Sequence, residues 1–190
     1  MHFYTNKELK KLGFKNLGSN LEISKNVNFY NISGSIGSNC RIDDFSILIG
    51  KINIGNHVHI ASYNLISSSK YGNIIKISDF TGIGPRCYIS ASTEDYMAND
   101  ISNPTIKKKF RKNIIMANIK IGKNVLMGAG THIIPRRKNK DIQIGDNVSI
   151  GVNSVISTSI ASNSLAFNQN IHKIKILPIK KKINFPKIKF

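Results

Sequence analysis

The chain has 190 residues, with 28 Lys and Arg against 10 Asp and Glu, two cysteines and no tryptophan. That length suits a single domain able to bury a core without staples, and two cysteines give neither a disulfide framework nor a C-x-x-C metal knuckle. The first twenty residues hold no apolar signal core and no window reaches membrane-spanning length, so a soluble, cytoplasmic protein is expected.

Taken in chain order, Thr5-Asn6-Lys7-Glu8 reads as a capping box that opens a short helix, and Gly13 ends it. Residues 1–22 are expected to cap the open end of a repetitive region that begins at residue 23. From Ile36 an apolar residue recurs every six positions: Ile36, Ile42, Leu48, Ile54, Ile60, Ile66. The beat resumes at Ile77, Ile83 and Ile89, again at Ile121, Met127 and Ile133, and again at Ile144, Ile150 and Ile156. Gly often follows the leading residue, and the fifth position is small or β-branched, as in Cys40, Val58, Thr81, Cys87, Val125, Thr131, Val148 and Ser154. A period of six fits neither the 3.6 of a helix nor the 2 of a two-faced strand. It fits a parallel β-helix in which each hexad forms one flat side and Gly or Asn turns the corner at positive φ. The expectation is an all-β solenoid of about six coils over residues 23–161.

Three interruptions break the beat: residues 67–76, a long excursion at 90–118, and a basic insertion at 136–140. Loops of this kind carry individuality on a repetitive scaffold. The tail at 162–190 alternates Ile and Lys around Pro178 and Pro186, which suggests an edge strand and then an extended segment, either packed along the solenoid wall or in peripheral contact with an anionic membrane surface. Ile, Asn and Lys together make up 80 of 190 residues, the amino acids of A/T-rich codons, so the formal charge of +18 reads partly as codon bias. Aromatic residues do not interleave with the basic runs, which argues against a nucleic-acid partner.

The hexads resemble the hexapeptide-repeat family, whose β-helix is left-handed. The stretches FYTNKELKKLGFKNLGSNLEISKNVNFYN, RIDDFSILIGKINIGNHVHIASY and STEDYMANDISNP look like sugar acetyltransferases of the galactoside/maltose type found in surface-glycan pathways, over roughly residues 3–160. The resemblance implies a homotrimer with acetyl-CoA as co-substrate in the cleft between neighbouring solenoids. It also implies direct acyl transfer to a carbohydrate acceptor and no metal.

Such transfer needs a base near the acceptor and donors at the thioester oxyanion. Relatives place a His in the loop leaving the middle coil; here that stretch reads Thr93-Glu94-Asp95-Tyr96, with Glu94 in the His position. His59 falls in one outward column with Gly82 and Leu126, and the Leu126 slot corresponds in relatives to a Trp beside the CoA thiol. The base is therefore Glu94, Asp95 or His59, with one of the others orienting it. The acceptor is expected against Arg86, Tyr63, Tyr96 and Asn103, where Arg86 is suited to an acidic group or to pairing with Glu94 or Asp95. The CoA arm is expected along Leu126, Gly128, Ala129, Gly151, Val152, Ser157 and Thr158. Relatives carry a Lys at the Thr158 position, and Arg136, Arg137 and Lys138 of the insertion are expected to replace its contact to the CoA phosphates.

The leading expectation is O-acetylation of a sugar hydroxyl of a surface polysaccharide or its precursor. N-acetylation of a nucleotide-linked amino sugar is the alternative within enzymes, since an amine bound deprotonated needs no side-chain base. A non-catalytic polyanion-binding scaffold is the alternative outside them. The spacing His57-x-His59 lacks the third ligand that the zinc-binding members of this solenoid class use.

Overall fold

The computed structural model describes residues 2–69, 72–94, 103, 105–107, 113–138 and 140–168. Its strands wind as a parallel β-helix of triangular section. On the first face, β2 (Leu21–Ile23), β4 (Cys40–Ile42), β6 (His59–Ile60), β9 (Gly82–Ile83), β14 (Leu126–Met127), β17 (Ser149–Ile150) and β19 (Leu165–Ala166) stack as one seven-stranded sheet. The other two faces form a single ten-stranded sheet, because β3 (Asn28–Ile36) and β5 (Ile47–Ile54) run unbroken around the corner between them. The first halves of those strands open the second face, continued by β7 (Leu65–Ser67), β10 (Tyr88–Ser90), β15 (His132–Ile133) and β18 (Val155–Ile156). Their second halves lie on the third face with β1 (Phe14–Leu17), β8 (Ile74–Ile77), β13 (Ile119–Ile121) and β16 (Ile142–Ile144).

The leading residues of the hexads meet in three ladders. Ile42, Ile60, Ile83, Met127 and Ile150 are in register on the first face. Leu48, Ile66, Ile89, Ile133 and Ile156 follow on the second, and Ile36, Ile54, Ile77, Ile121 and Ile144 on the third. All are buried, as are all eight small fifth-position residues. Burying one such aliphatic side chain stabilises the fold by about 1.5–3 kcal/mol, so the ladders supply most of the driving force.

Corners require a left-handed backbone, and the corner between the third and first faces shows how the sequence meets that need. Asn20, Asn39, Asn124, Asn147 and Asn163 all sit there with φ between 53° and 59°. Asparagine tolerates this region because its short amide bonds locally. The amides also bond from coil to coil, Asn20 to Asn39 at 2.9 Å, and Asn124 to Asn147 and Asn147 to Asn163 at 3.0 Å. In the middle coils His57 and Phe80 take the same corner, stacked with ring centroids 5.1 Å apart.

Helix α1 (Asn6–Leu12) closes the N-terminal end with both hydrogen bonds of the capping box formed, and its Leu9 is fully buried. Phe29 packs edge-on against Tyr4 and Phe14 beneath it. The paired strands run from Phe14 to Ala166, wider than residues 23–161: Leu17-Gly18 keeps the apolar-Gly pair in register with Ile36, and Ala166 takes the place of the ladder Ile at the other end. The long excursion leaves through a neck in which β11 (Ser92–Thr93) pairs antiparallel with β12 (Ile115–Met116). The coil resumes at once, with Ala117 donating to the Ala91 carbonyl at 3.0 Å. The strand and membrane contact expected of the tail fall on residues 169–190, outside the described residues. Among the described residues no helix is long and apolar enough to cross a membrane.

Candidate active site

On the first face the residue before each ladder position points outward. Glu22, Arg41, His59, Gly82, Leu126, Ser149 and Leu165 form one such column by register. The column places His59 with Gly82 and Leu126, the alignment the hexad phase indicates. The carboxylate that holds His59 is Asp43: His59 Nε2 lies 2.9 Å from Asp43 Oδ2, and Arg41 Nε donates to Asp43 Oδ1 at 2.6 Å. Asp43 is largely covered, and that burial pulls its carboxyl upward. The hydrogen bonds from Arg41 and His59 outweigh it and leave the group below the ordinary aspartate value. An ionised carboxylate only accepts, so His59 donates from Nε2, and its Nδ1 keeps the lone pair when the ring is neutral.

Around the next corner, between the first and second faces, the left-handed positions are Phe45, Tyr63, Arg86, Gly130 and Asn153, with φ between 53° and 70°. Phe45 and Tyr63 stack with centroids 5.1 Å apart, and both rings are more than half exposed. A bulky side chain held in this region costs roughly 1 kcal/mol. Arg86 is exposed and makes no ion pair with a described residue.

Further along the same corner Gly84, Gly128 and Gly151 let successive coils close up. A Cβ on Gly128 would stand 2.6 Å from the Val152 nitrogen, and one on Gly84 would stand 2.8 Å from the Ala129 nitrogen. Beside them Leu126 and Val152 are largely exposed. On the next corner of the same two coils, between the second and third faces, Arg136, Arg137, Lys140 and Asp141 face Ser157, Thr158 and Ser159 across a groove of about 330 Å³. Asp141 is already bonded to the Asn118 backbone and side-chain nitrogens, so three cations dominate the groove. Four residues expected at CoA, Arg136, Arg137, Ser157 and Thr158, are thus brought together, although twenty residues separate the two segments. Lys140 joins them unforeseen.

Glu94 follows the excursion's neck directly and is half-buried. Asp95 and Tyr96 lie outside the described residues. Asn103 is exposed, and its side-chain oxygen accepts from the Thr105 backbone and hydroxyl at 3.0 and 2.9 Å. Sequence reasoning missed Asp43, Arg41 and Phe45. The available signal was the column itself, since Arg41 and Phe45 stand one coil before His59 and Tyr63. Among the described residues no three His, Cys, Asp or Glu are grouped to hold a metal ion. Cys40 and Cys87 are buried, and burial pushes both thiols up, away from nucleophilic use.

No family model matches the chain. A curated relative named dTDP-4-amino-4,6-dideoxy-D-glucose acyltransferase, from Escherichia coli, is 36% identical over 154 residues, 78% of this chain and 75% of its own. The bifunctional protein GlmU of Caldanaerobacter subterraneus is 32% identical over 136 residues, which span only 29% of that protein. Among solved structures, AntD, an N-acyltransferase from Bacillus cereus in complex with dTDP and 3-hydroxybutyryl-CoA, superposes with a TM-score of 0.78 at 35% identity, covering 91% of this chain and 88% of that one. A variant of AntD with an aspartate replaced by asparagine, bound to dTDP and coenzyme A, gives 0.79. The acetyltransferase domain of PglB from Neisseria gonorrhoeae, at 14% identity and a TM-score of 0.53, shares the fold alone. With its ladders in register, its left-handed corners and 36% identity to an acyltransferase over 154 aligned residues, this chain belongs to the hexapeptide-repeat acyltransferase family and has that family's left-handed β-helix.

Proposed function

We propose that this protein transfers an acyl group from a CoA thioester to the amine of a nucleotide-linked amino sugar. The observation that carries the reading is the shared substrate class of its relatives. The E. coli protein is named for a dTDP-amino sugar, and AntD, an N-acyltransferase, was solved with dTDP and an acyl-CoA. The O-acetyl transfer expected from the sequence has less behind it, because none of these relatives carries that name.

In this reading the CoA phosphates lie on Arg136, Arg137 and Lys140, where guanidinium groups bind phosphate by paired hydrogen bonds. The arm then follows the glycine-lined corner past Val152 and Ala129 to Leu126, in the cleft between neighbouring copies of a trimer. The amine attacks the thioester carbonyl, the C–N bond forms, the C–S bond breaks, and CoA leaves as a thiolate that takes up a proton. The amine's proton passes to a base. Glu94 at the neck, Asp95 beside it and the Nδ1 of His59 are the candidates, with Asp43 orienting the imidazole. Acetyl is the acyl group we assign. The setting is the cytoplasm, and the product is a building block for surface glycan.

The test is release of free thiol from acetyl-CoA with dTDP-4-amino-4,6-dideoxyglucose as acceptor, set against galactosides and maltose. Turnover with the amine alone supports the proposal. Turnover confined to the hydroxyl sugars overturns it in favour of O-acetylation, and no turnover with any acceptor leaves a scaffold.

A further inference from the structure

We infer that the Phe45–Tyr63 stack and the Arg41–Asp43–His59 cluster together form the subsite for the nucleotide half of the acceptor, with the base on the aromatic shelf and the diphosphate on the Arg41 guanidinium. The inference rests on the nucleotide-sugar reading and says where this chain carries it out.

Two coils repeat one arrangement. Arg41 is followed four residues later by Phe45, and His59 is followed at the same distance by Tyr63, one pair stacked directly on the other. Arg41 and His59 lie on the first face and the two rings on the adjoining corner. In the following coil Gly82 opens the face and Arg86 takes the corner.

The rings do little for the core, since Phe45 is 52% and Tyr63 57% exposed. They occupy a left-handed corner that later coils fill with Gly130 and Asn153, residues the conformation favours. A flat, outward, two-ring surface suits a planar π-system, and base stacking on such rings tolerates any base. On the face beside it, Arg41 spends only its Nε on Asp43, so its terminal nitrogens remain for a phosphate. Asp43 fixes Arg41 and His59 through its two oxygens, which lowers the entropy lost when an anion binds. Coils rise by about 4.8 Å, so the three spanned by Phe45, Tyr63 and Arg86 extend about 10 Å, the scale of a nucleoside diphosphate. That line leads along the same corner toward Gly128 and Val152, so the sugar would meet the acyl group beside Leu126 and Val152.

The test measures binding of dTDP and of thymidine to the full chain by calorimetry, for the wild type, Phe45→Asn/Tyr63→Asn and Arg41→Gln. Asparagine is what the corner prefers, so the double variant keeps its fold, which a melting curve checks. We expect the double variant to lose about tenfold or more in affinity for both ligands. Arg41→Gln should weaken dTDP about tenfold and thymidine little, because only the phosphates are lost. Acetyl-CoA affinity, read in parallel, should stay with the wild type. Unchanged dTDP affinity in both variants overturns the subsite while leaving the amino-sugar acceptor standing. A double variant that changes oligomeric state shows the rings to be a contact between copies and overturns it as well. If the wild type binds no dTDP at millimolar concentration, the nucleotide-sugar reading fails first and the subsite falls with it.

Discussion

Two corners of the same solenoid adopt the same left-handed backbone and fill it in opposite ways. Between the third and first faces, five of seven positions are asparagine, and their amides bond from coil to coil. Between the first and second faces the positions are Phe45, Tyr63, Arg86, Gly130 and Asn153. Both corners meet the same geometric demand, so the difference lies in what else each must do. The asparagine corner is built for stability, and the other gives up stability for side chains aimed at solvent. Departures from local preference concentrate at functional sites; the Phe45–Tyr63–Arg86 edge departs in three successive coils, and the His57–Phe80 stack is the departure on the asparagine corner.

The sharpest break in that contrast comes from placing valine in each corner. Asn147→Val loses two amide bonds and forces a β-branched residue to φ near 55°, an expected loss of about 3 kcal/mol in urea unfolding. Asn153→Val at the working corner forfeits only the backbone preference, about 1–2 kcal/mol, and equal losses would erase the distinction. Next in size, Arg136→Gln/Arg137→Gln should weaken acetyl-CoA about tenfold or more, and much less for CoA lacking its 3′-phosphate. A loss equal for both ligands would remove the groove from phosphate binding. Third, Phe45→Asn/Tyr63→Asn should leave the unfolding free energy unchanged or raise it, by up to about 1 kcal/mol per position, as strained corners relax. A clear fall would mean the rings serve the fold.

The smallest effect is one of pH. Asp43 titrates below the ordinary aspartate value when folded, so its contribution is complete above that ordinary value and is lost as pH falls through the lower folded value. The wild type should therefore lose stability more steeply than Asp43→Asn below about pH 4. Parallel curves would show that the Arg41 and His59 bonds contribute nothing net.

The ladders were legible from sequence because a hexad's inward positions depend only on its own phase. Ile60 is buried for reasons visible within six residues, and the phase extended to outward positions, aligning His59 with Leu126. Contacts between coils were harder to read. Asp43 reaches His59 across sixteen residues and lies one step beyond its ladder position, where side chains turn the corner, so phase alone names no partner. The basic groove was legible in its members but not in Lys140, whose place depends on how the inserted turn folds back. The end coils follow the beat only in part: Leu17-Gly18 and Ile23 keep it, while Phe14 and Ala166 depart from it.

The two-residue antiparallel neck formed by Ser92–Thr93 and Ile115–Met116 has an evolutionary consequence. It returns the chain to the place it left, so the coil above and the coil below keep their register however many residues lie between. Closing a longer loop adds only about 0.6 kcal/mol for each doubling of its length. Insertions, deletions and wholesale exchange in that segment therefore scarcely disturb the stack. A lineage can rewrite that loop freely while the stacked coils are inherited intact.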